Sequence, residues 1–84
     1  LWLTICELLD REPEKIDPVE KSILLLGAFE LSAHMEIPFK VVITESVDLA
    51  KIFGGTDSYK YVNSILDRLA TTFRAIEVGT LQVR

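Results

Sequence analysis

The stretch DPVEKSILLLGAFELSAH, residues 17–34, constrains the fold more than any other part of this chain. Asp17 reads as an N-cap, Pro18 suits the first helical position, and Glu20 at N3 can reach back to the cap's amide. The helix that follows should run from Pro18 to about His34. Its middle, ILLLGAF, is apolar nearly all round, so it must lie at the centre of whatever forms. Gly27 in that run costs about 1 kcal/mol against Ala in a helix interior. A close approach by another helix is the expected compensation.

The rest of the chain reads as helices around this one, with no convincing strand. Leu1, Ile5, Leu8 and Leu9 share one face of a helix over roughly residues 1–10. REPEK, residues 11–15, is a charged loop broken by Pro13. Pro38 disfavours a helical Ile37 and suits N1 of a third helix, FKVVITESVDLAKIF, whose stripe is Val42, Ser46, Leu49, Ala50 and Phe53. Gly54 is a suitable C′ residue. Thr56 or Asp57 caps a fourth helix, in which Val62, Ile65, Leu66, Leu69 and Phe73 form the cleanest amphipathic pattern of the chain. The weakly periodic AIEVGTLQVR is expected to be a frayed end, a short docked strand or an extraneous tail, with residues 76–84 disordered or foreign to the domain.

Length and composition set the scale. The 84 residues suffice for one small helical domain, 1–84, yet 49% of them are hydrophobic. That is more apolar material than a four-helix unit easily hides. A covering partner is expected, and a second copy pairing over ILLLGAF and the Leu1, Ile5 and Leu8 face would supply one. The chain opens on LWLTICELLD without Met, so truncation or processing is expected. No apolar run approaches a membrane span, and there is no signal peptide. Cys6 stands alone, which makes a cytoplasmic setting the default.

Chemistry is sparse. His34 is the only histidine, there is no second cysteine, and a metal site is not expected. FGG at residues 53–55 lacks the ending of a phosphate loop. No catalytic residues and no cofactor are identified. The net charge of −4 argues, on bulk charge alone, against nucleic-acid binding. One surface remains. In FGGTDSYKYVNSILDRL, residues 53–69, Tyr59 and Tyr61 fall outside the Val62, Ile65 and Leu69 stripe. Tyr61 either packs at the edge of that stripe with its hydroxyl in water, or offers an aromatic platform beside Lys60 and a helix N-terminus. The second arrangement suits single-stranded nucleic acid.

The same stretch resembles the C-terminal signature of the NusB family, commonly FGxxDSxKFVNGVLxxL. IPFKVVITESVDLAKIFG is similar to the family's IPxKVAINEAVELAKxFG, and VEKSILLLGAFEL to VxRAILRLAxYEL. The three blocks keep the family's order and spacing over about residues 18–70. The resemblance implies an all-α fold, a small helical bundle forming the C-terminal subdomain of the NusB-like architecture. The N-terminal half, with its basic RNA-contacting segment, would be absent. It implies a non-catalytic module of a bacterial transcription antitermination complex. Such a module binds boxA RNA together with the ribosomal protein NusE, meets the RNA polymerase elongation complex indirectly, and serves ribosomal RNA operons. The alternative is the NusB-like N-terminal domain of an rRNA cytosine methyltransferase.

Carried over residue by residue, the resemblance puts Asp57, Lys60 and Tyr61 at the RNA-facing surface, with Tyr61 in place of the family's Phe. Glu20 matches the acidic residue that opens the central helix, near the NusE and RNA surfaces. Ser64 stands for the usual Gly, Gly27 for Ala, Leu25 for Arg, and Thr44 and Ser46 for the Asn and Ala of INEA. The loss of a positive group at position 25 weakens the RNA-facing character slightly.

Overall fold

A computed structural model describes residues 1–9 and 11–83. The chain is all-helical there: α1 is Trp2–Cys6, a single 3-10 turn spans Pro13–Lys15, and α2 is Pro18–Ala33, followed by α3 Phe39–Phe53, α4 Ser58–Phe73 and α5 Ala75–Val83. Helices α2, α3 and α4 pack against one another, while α1 leans on α2 and α5 on α4. No helix among the described residues is long and apolar enough to cross a membrane.

The start of α2 forms largely as the sequence dictates. The Asp17 carboxylate accepts from the Val19 amide at 2.7 Å. Glu20 does not close the expected capping box; it is buried and turned toward α4. Within ILLLGAF, Ile23, Leu24, Gly27 and Ala28 are buried and Leu25 is partly so, while Leu26 and Phe29 stay half exposed. Helix α1 is shorter than its pattern suggested. The Leu8 and Leu9 amides fold back to the Ile5 and Cys6 carbonyls, tightening the chain into a turn. The expected open face of α1 is covered in part within the chain: Ile5 is fully buried and Leu8 packs on the core, while Leu1 stays half exposed. Arg68 Nη1 then donates to the Leu8 carbonyl at 3.1 Å and ties that turn to α4.

Gly27 is where α2 meets both neighbours. A Cβ there would lie 2.9 Å and 3.0 Å from the Leu66 methyls on α4 and 3.0 Å from Ser46 Oγ on α3. The glycine therefore trades helix propensity for a close approach of three helices. Gly54 ends α3 with extended dihedrals, φ −86° and ψ 171°, and not in the left-handed form a C′ glycine usually takes. Its constraint is steric, because a Cβ would sit 2.6 Å from the Ala50 carbonyl oxygen and 2.7 Å from Ser58 Oγ.

Contacts along α2 and α4 pair Glu20 with Ser58, Gly27 with Leu66, and Leu31 with Arg74. Sequence number rises in step on both helices, so they run parallel, and α3 returns antiparallel between them. The far end is closed by Arg74, the residue after α4. Its buried guanidinium donates to the carbonyls of Glu30 (3.1 Å), Leu31 (2.7 Å), His34 (2.8 Å) and Ile37 (2.8 Å). It also pairs with Glu77 at 2.8 Å. The other Glu77 oxygen accepts from the Phe39 amide at 2.9 Å, so it caps α3, which begins after Pro38 without a side-chain cap of its own. The tail is thus a helix, Ala75–Val83, with Val78 buried. It forms no strand among the described residues, and Arg74 and Glu77 dock its first turn.

Two tests follow from this packing. Gly27→Ala alone should be neutral or destabilising, because the crowding offsets the propensity gain of about 1 kcal/mol. In a Ser46→Ala background one obstruction is gone, and the same change should become more favourable by at least about 0.5 kcal/mol in a denaturation cycle. Strict additivity would show that the two sites do not compete for space. The Phe39 amide bond, and then the Arg74 bond, hold the Glu77 carboxyl below its ordinary value of 4.5. A carboxyl depressed in the folded state stabilises fully above the unfolded value and loses that stabilisation as pH falls through the lower folded one. The melting temperature should therefore drop on acidification below about 4.5, and Glu77→Gln should flatten that drop. An unchanged acid profile in the variant would remove Glu77 from the account.

Candidate nucleic-acid interface

Parallel packing brings the N-termini of α2 and α4 side by side, and the polar residues there form one connected group. Glu20 is 5% exposed, and burial of a carboxylate needs partners. One oxygen accepts from Ser58 Oγ at 2.7 Å and the other lies 3.4 Å from Arg11 Nη1. The steric need for Gly54 belongs to the same arrangement, since its missing Cβ leaves the room that Ser58 Oγ occupies. The Arg11 guanidinium carbon sits 3.9 Å from the centroid of the Tyr61 ring, a close cation–π contact. Tyr61 is partly buried and its hydroxyl oxygen is shielded from solvent, so the hydroxyl does not point into water.

Beside this group, Asp57 takes a left-handed backbone conformation, φ 64° and ψ 5°, the one positive φ outside glycine among the described residues. It precedes α4 without a side-chain capping bond. Its carboxylate instead lies 3.5 Å from Lys60 Nζ, both side chains being about two thirds exposed. Lys60 Nζ is also 5.9 Å from the Tyr59 ring, and Lys51 Nζ reaches the same ring at 5.1 Å from the end of α3. A shallow groove runs past Lys51, Gly54, Gly55, Thr56, Asp57 and Tyr59. Two lysines therefore lie by the Tyr59 ring and one arginine by the Tyr61 ring, on two sides of the first turns of α4. Stacking surfaces and cations in this mixture suit unpaired bases and phosphates.

The four site residues named from sequence, Glu20, Asp57, Lys60 and Tyr61, lie at the starts of α2 and α4. Glu20 is linked to Tyr61 through Arg11, and Lys60 faces Asp57 and Tyr59. Sequence reasoning missed Arg11, Lys51 and Ser58. Ser58 was legible as part of the DS pair. Arg11 lies in a loop with no periodicity, and nothing local ties it to a ring fifty positions away. No group of three or more His, Cys, Asp or Glu side chains among the described residues could hold a metal ion.

Comparison with known proteins adds a second line. A profile of the NusB family matches residues 3–71. The chain belongs to the NusB family. It is 58% identical to the transcription antitermination protein NusB of Nitrosospira multiformis over 71 residues, 84% of this chain and 45% of that protein. Against the protein of the same name from Paraburkholderia phytofirmans, identity is 50% over all 84 residues, 58% of the relative. The Chromohalobacter salexigens protein is 53% identical over 76 residues, 46% of its length. The chain thus spans about half the length of the curated relatives it matches. No solved structure matches it. The relatives are named as antitermination proteins, and the NusB family is non-enzymatic. Its match covers α1 to most of α4, including Arg11, Glu20, Asp57, Lys60 and Tyr61, whereas the Arg74 and Glu77 clasp lies beyond it.

The Asp57 backbone gives a prediction independent of any ligand. Left-handed geometry costs an ordinary L-residue roughly 1–2 kcal/mol, less for Asp or Asn, and nothing for Gly. Asp57→Gly should hold or raise the melting temperature, Asp57→Asn should leave it nearly unchanged, and Asp57→Val should lower it. Equal stability of the Gly and Val variants would show that the turn is not held left-handed in solution.

Proposed function

We propose that this chain is a non-catalytic RNA- and protein-binding module of a bacterial transcription antitermination complex, and that it binds boxA RNA together with the ribosomal protein NusE. The observation that carries this reading is the edge at the start of α4, where Arg11, Lys51 and Lys60 lie against Tyr59 and Tyr61 in a NusB-family chain. Unpaired bases stack on aromatic rings and on guanidinium planes, and cations meet phosphates. Asp57, Lys60 and Tyr61 are the RNA-facing residues in this reading. Glu20 is the partner-facing residue, near the NusE side, and it also holds Arg11. The module acts in the cytoplasm on transcripts of ribosomal RNA operons, and it reaches RNA polymerase only through the assembled complex. The net charge of −4 leaves little general attraction for phosphate, so affinity should depend on this local edge and on the second protein.

The test is fluorescence anisotropy with a labelled boxA RNA oligonucleotide at stated salt, with and without NusE, using the protein in its natural length. Tyr61→Ala should weaken binding by roughly 1–3 kcal/mol. Lys60→Ala should weaken it and flatten the dependence of log K on log salt by about 0.7. If boxA RNA binds no better than an unrelated single strand, with NusE present, the proposal fails.

A further inference from the structure

The Tyr61 ring is not an open platform in this fold. Arg11 covers one face at 3.9 Å, and Glu20, itself fixed by Ser58, holds the guanidinium there. A lone exposed arginine would sample many rotamers at an entropic cost for any ligand that needed one of them. Here the side chain is braced from two sides yet remains 45% exposed. Its charged end sits over the ring at 3.9 Å, and nearly half of the side chain is open to solvent. Guanidinium planes stack on bases and pair with phosphate oxygens in a way an ammonium cannot.

We infer that Arg11 is the group that a single-stranded RNA meets at this edge, with Tyr61 and Glu20 as positioning residues behind it. The inference rests on the RNA-binding reading above and assigns the contact within that site. The layer order is ring, guanidinium, nucleotide. Tyr61 contributes by presenting a flat, desolvated surface to the inner face of the guanidinium, and Glu20 by fixing its in-plane orientation. The tyrosine hydroxyl takes no part, so Tyr61→Phe should bind as wild type does.

A double-mutant cycle read by boxA RNA anisotropy, with NusE present, separates this from direct stacking on Tyr61. Arg11→Ala should weaken binding about tenfold or more and flatten the salt slope by about 0.7. Arg11→Lys should keep the slope, because the charge remains, and still lose most of the affinity. Tyr61→Ala should weaken binding in the wild-type background and have little further effect once Arg11 is Ala. Circular dichroism and a melting curve confirm that each variant is folded at the assay temperature, a check that matters for Arg11→Ala because it takes a cation from the buried Glu20 carboxylate. Wild-type or tighter binding by Arg11→Ala, or an undiminished Tyr61→Ala effect in that background, overturns the inference and makes Arg11 a cover over the ring. If Lys60→Ala weakens binding while Arg11→Ala does not, only the inference falls. If the wild-type protein binds no boxA RNA, both readings fall.

Discussion

Arg74 holds a full positive charge out of water, and the arrangement of the helices follows from what that charge requires. An arginine cannot shed its proton, so burial is tolerable only when its donors find acceptors. Four carbonyls at and just beyond the end of α2, together with Glu77, supply them. The same contact solves a second problem. Parallel neighbours such as α2 and α4 bring like ends of two helix dipoles together, an unfavourable placement that opposite charges at each end can offset. Arg74 lies where both helices end, and Glu20 lies where both begin. With polar clasps at the two ends and the Gly27–Leu66 approach between them, the register of α2 against α4 is fixed at three points.

The N-terminal clasp is also the candidate interface, and this couples stability to function through Glu20. Its carboxylate belongs to the fold through Ser58 and to the surface through Arg11. A substitution at Glu20 removes both at once and leaves buried donors without their acceptor, so its effect on any ligand cannot be read without a stability measurement beside it. Arg11 and Lys60 are different. Both are more exposed, but Arg11 still partners the buried Glu20 carboxylate, so only the loss of Lys60 reports on the surface alone.

What could be read from sequence and what could not divides by the range of the interaction. The bounds of α2 and α3 were legible because Asp17, Pro18, Pro38 and Gly54 act within a few residues of themselves. The core of α4 was legible because its periodicity is local. The family resemblance pointed to Asp57, Lys60, Tyr61 and Glu20, which lie at the starts of α4 and α2. Helix α5 was not legible: AIEVGTLQVR is weakly periodic, and its helix depends on Arg74 and Glu77 reaching residues roughly forty positions earlier. Glu20 misled for the same reason. Its local reading was a capping box, and a partner thirty-eight residues away won. Gly54 was placed correctly at a helix end, but the close approach of Ser58 explains it and a left-handed turn does not.

The acidic balance of the chain and the RNA-binding role proposed for it are compatible because of the distance over which charge acts. At physiological ionic strength electrostatic influence decays within about 8 Å. A phosphate at the α4 edge therefore feels Arg11, Lys51 and Lys60 far more than a carboxylate on the opposite side of the molecule. Two of the acids there are engaged: Glu20 with Ser58 and Arg11, and Asp57 with Lys60. Paired in this way they orient the cations more than they cancel them. Net charge sets the long-range approach of a nucleic acid, which this chain does not favour, whereas the edge sets what happens on contact. In the proposed RNA-binding role, a surface built so should be weak alone and selective in company.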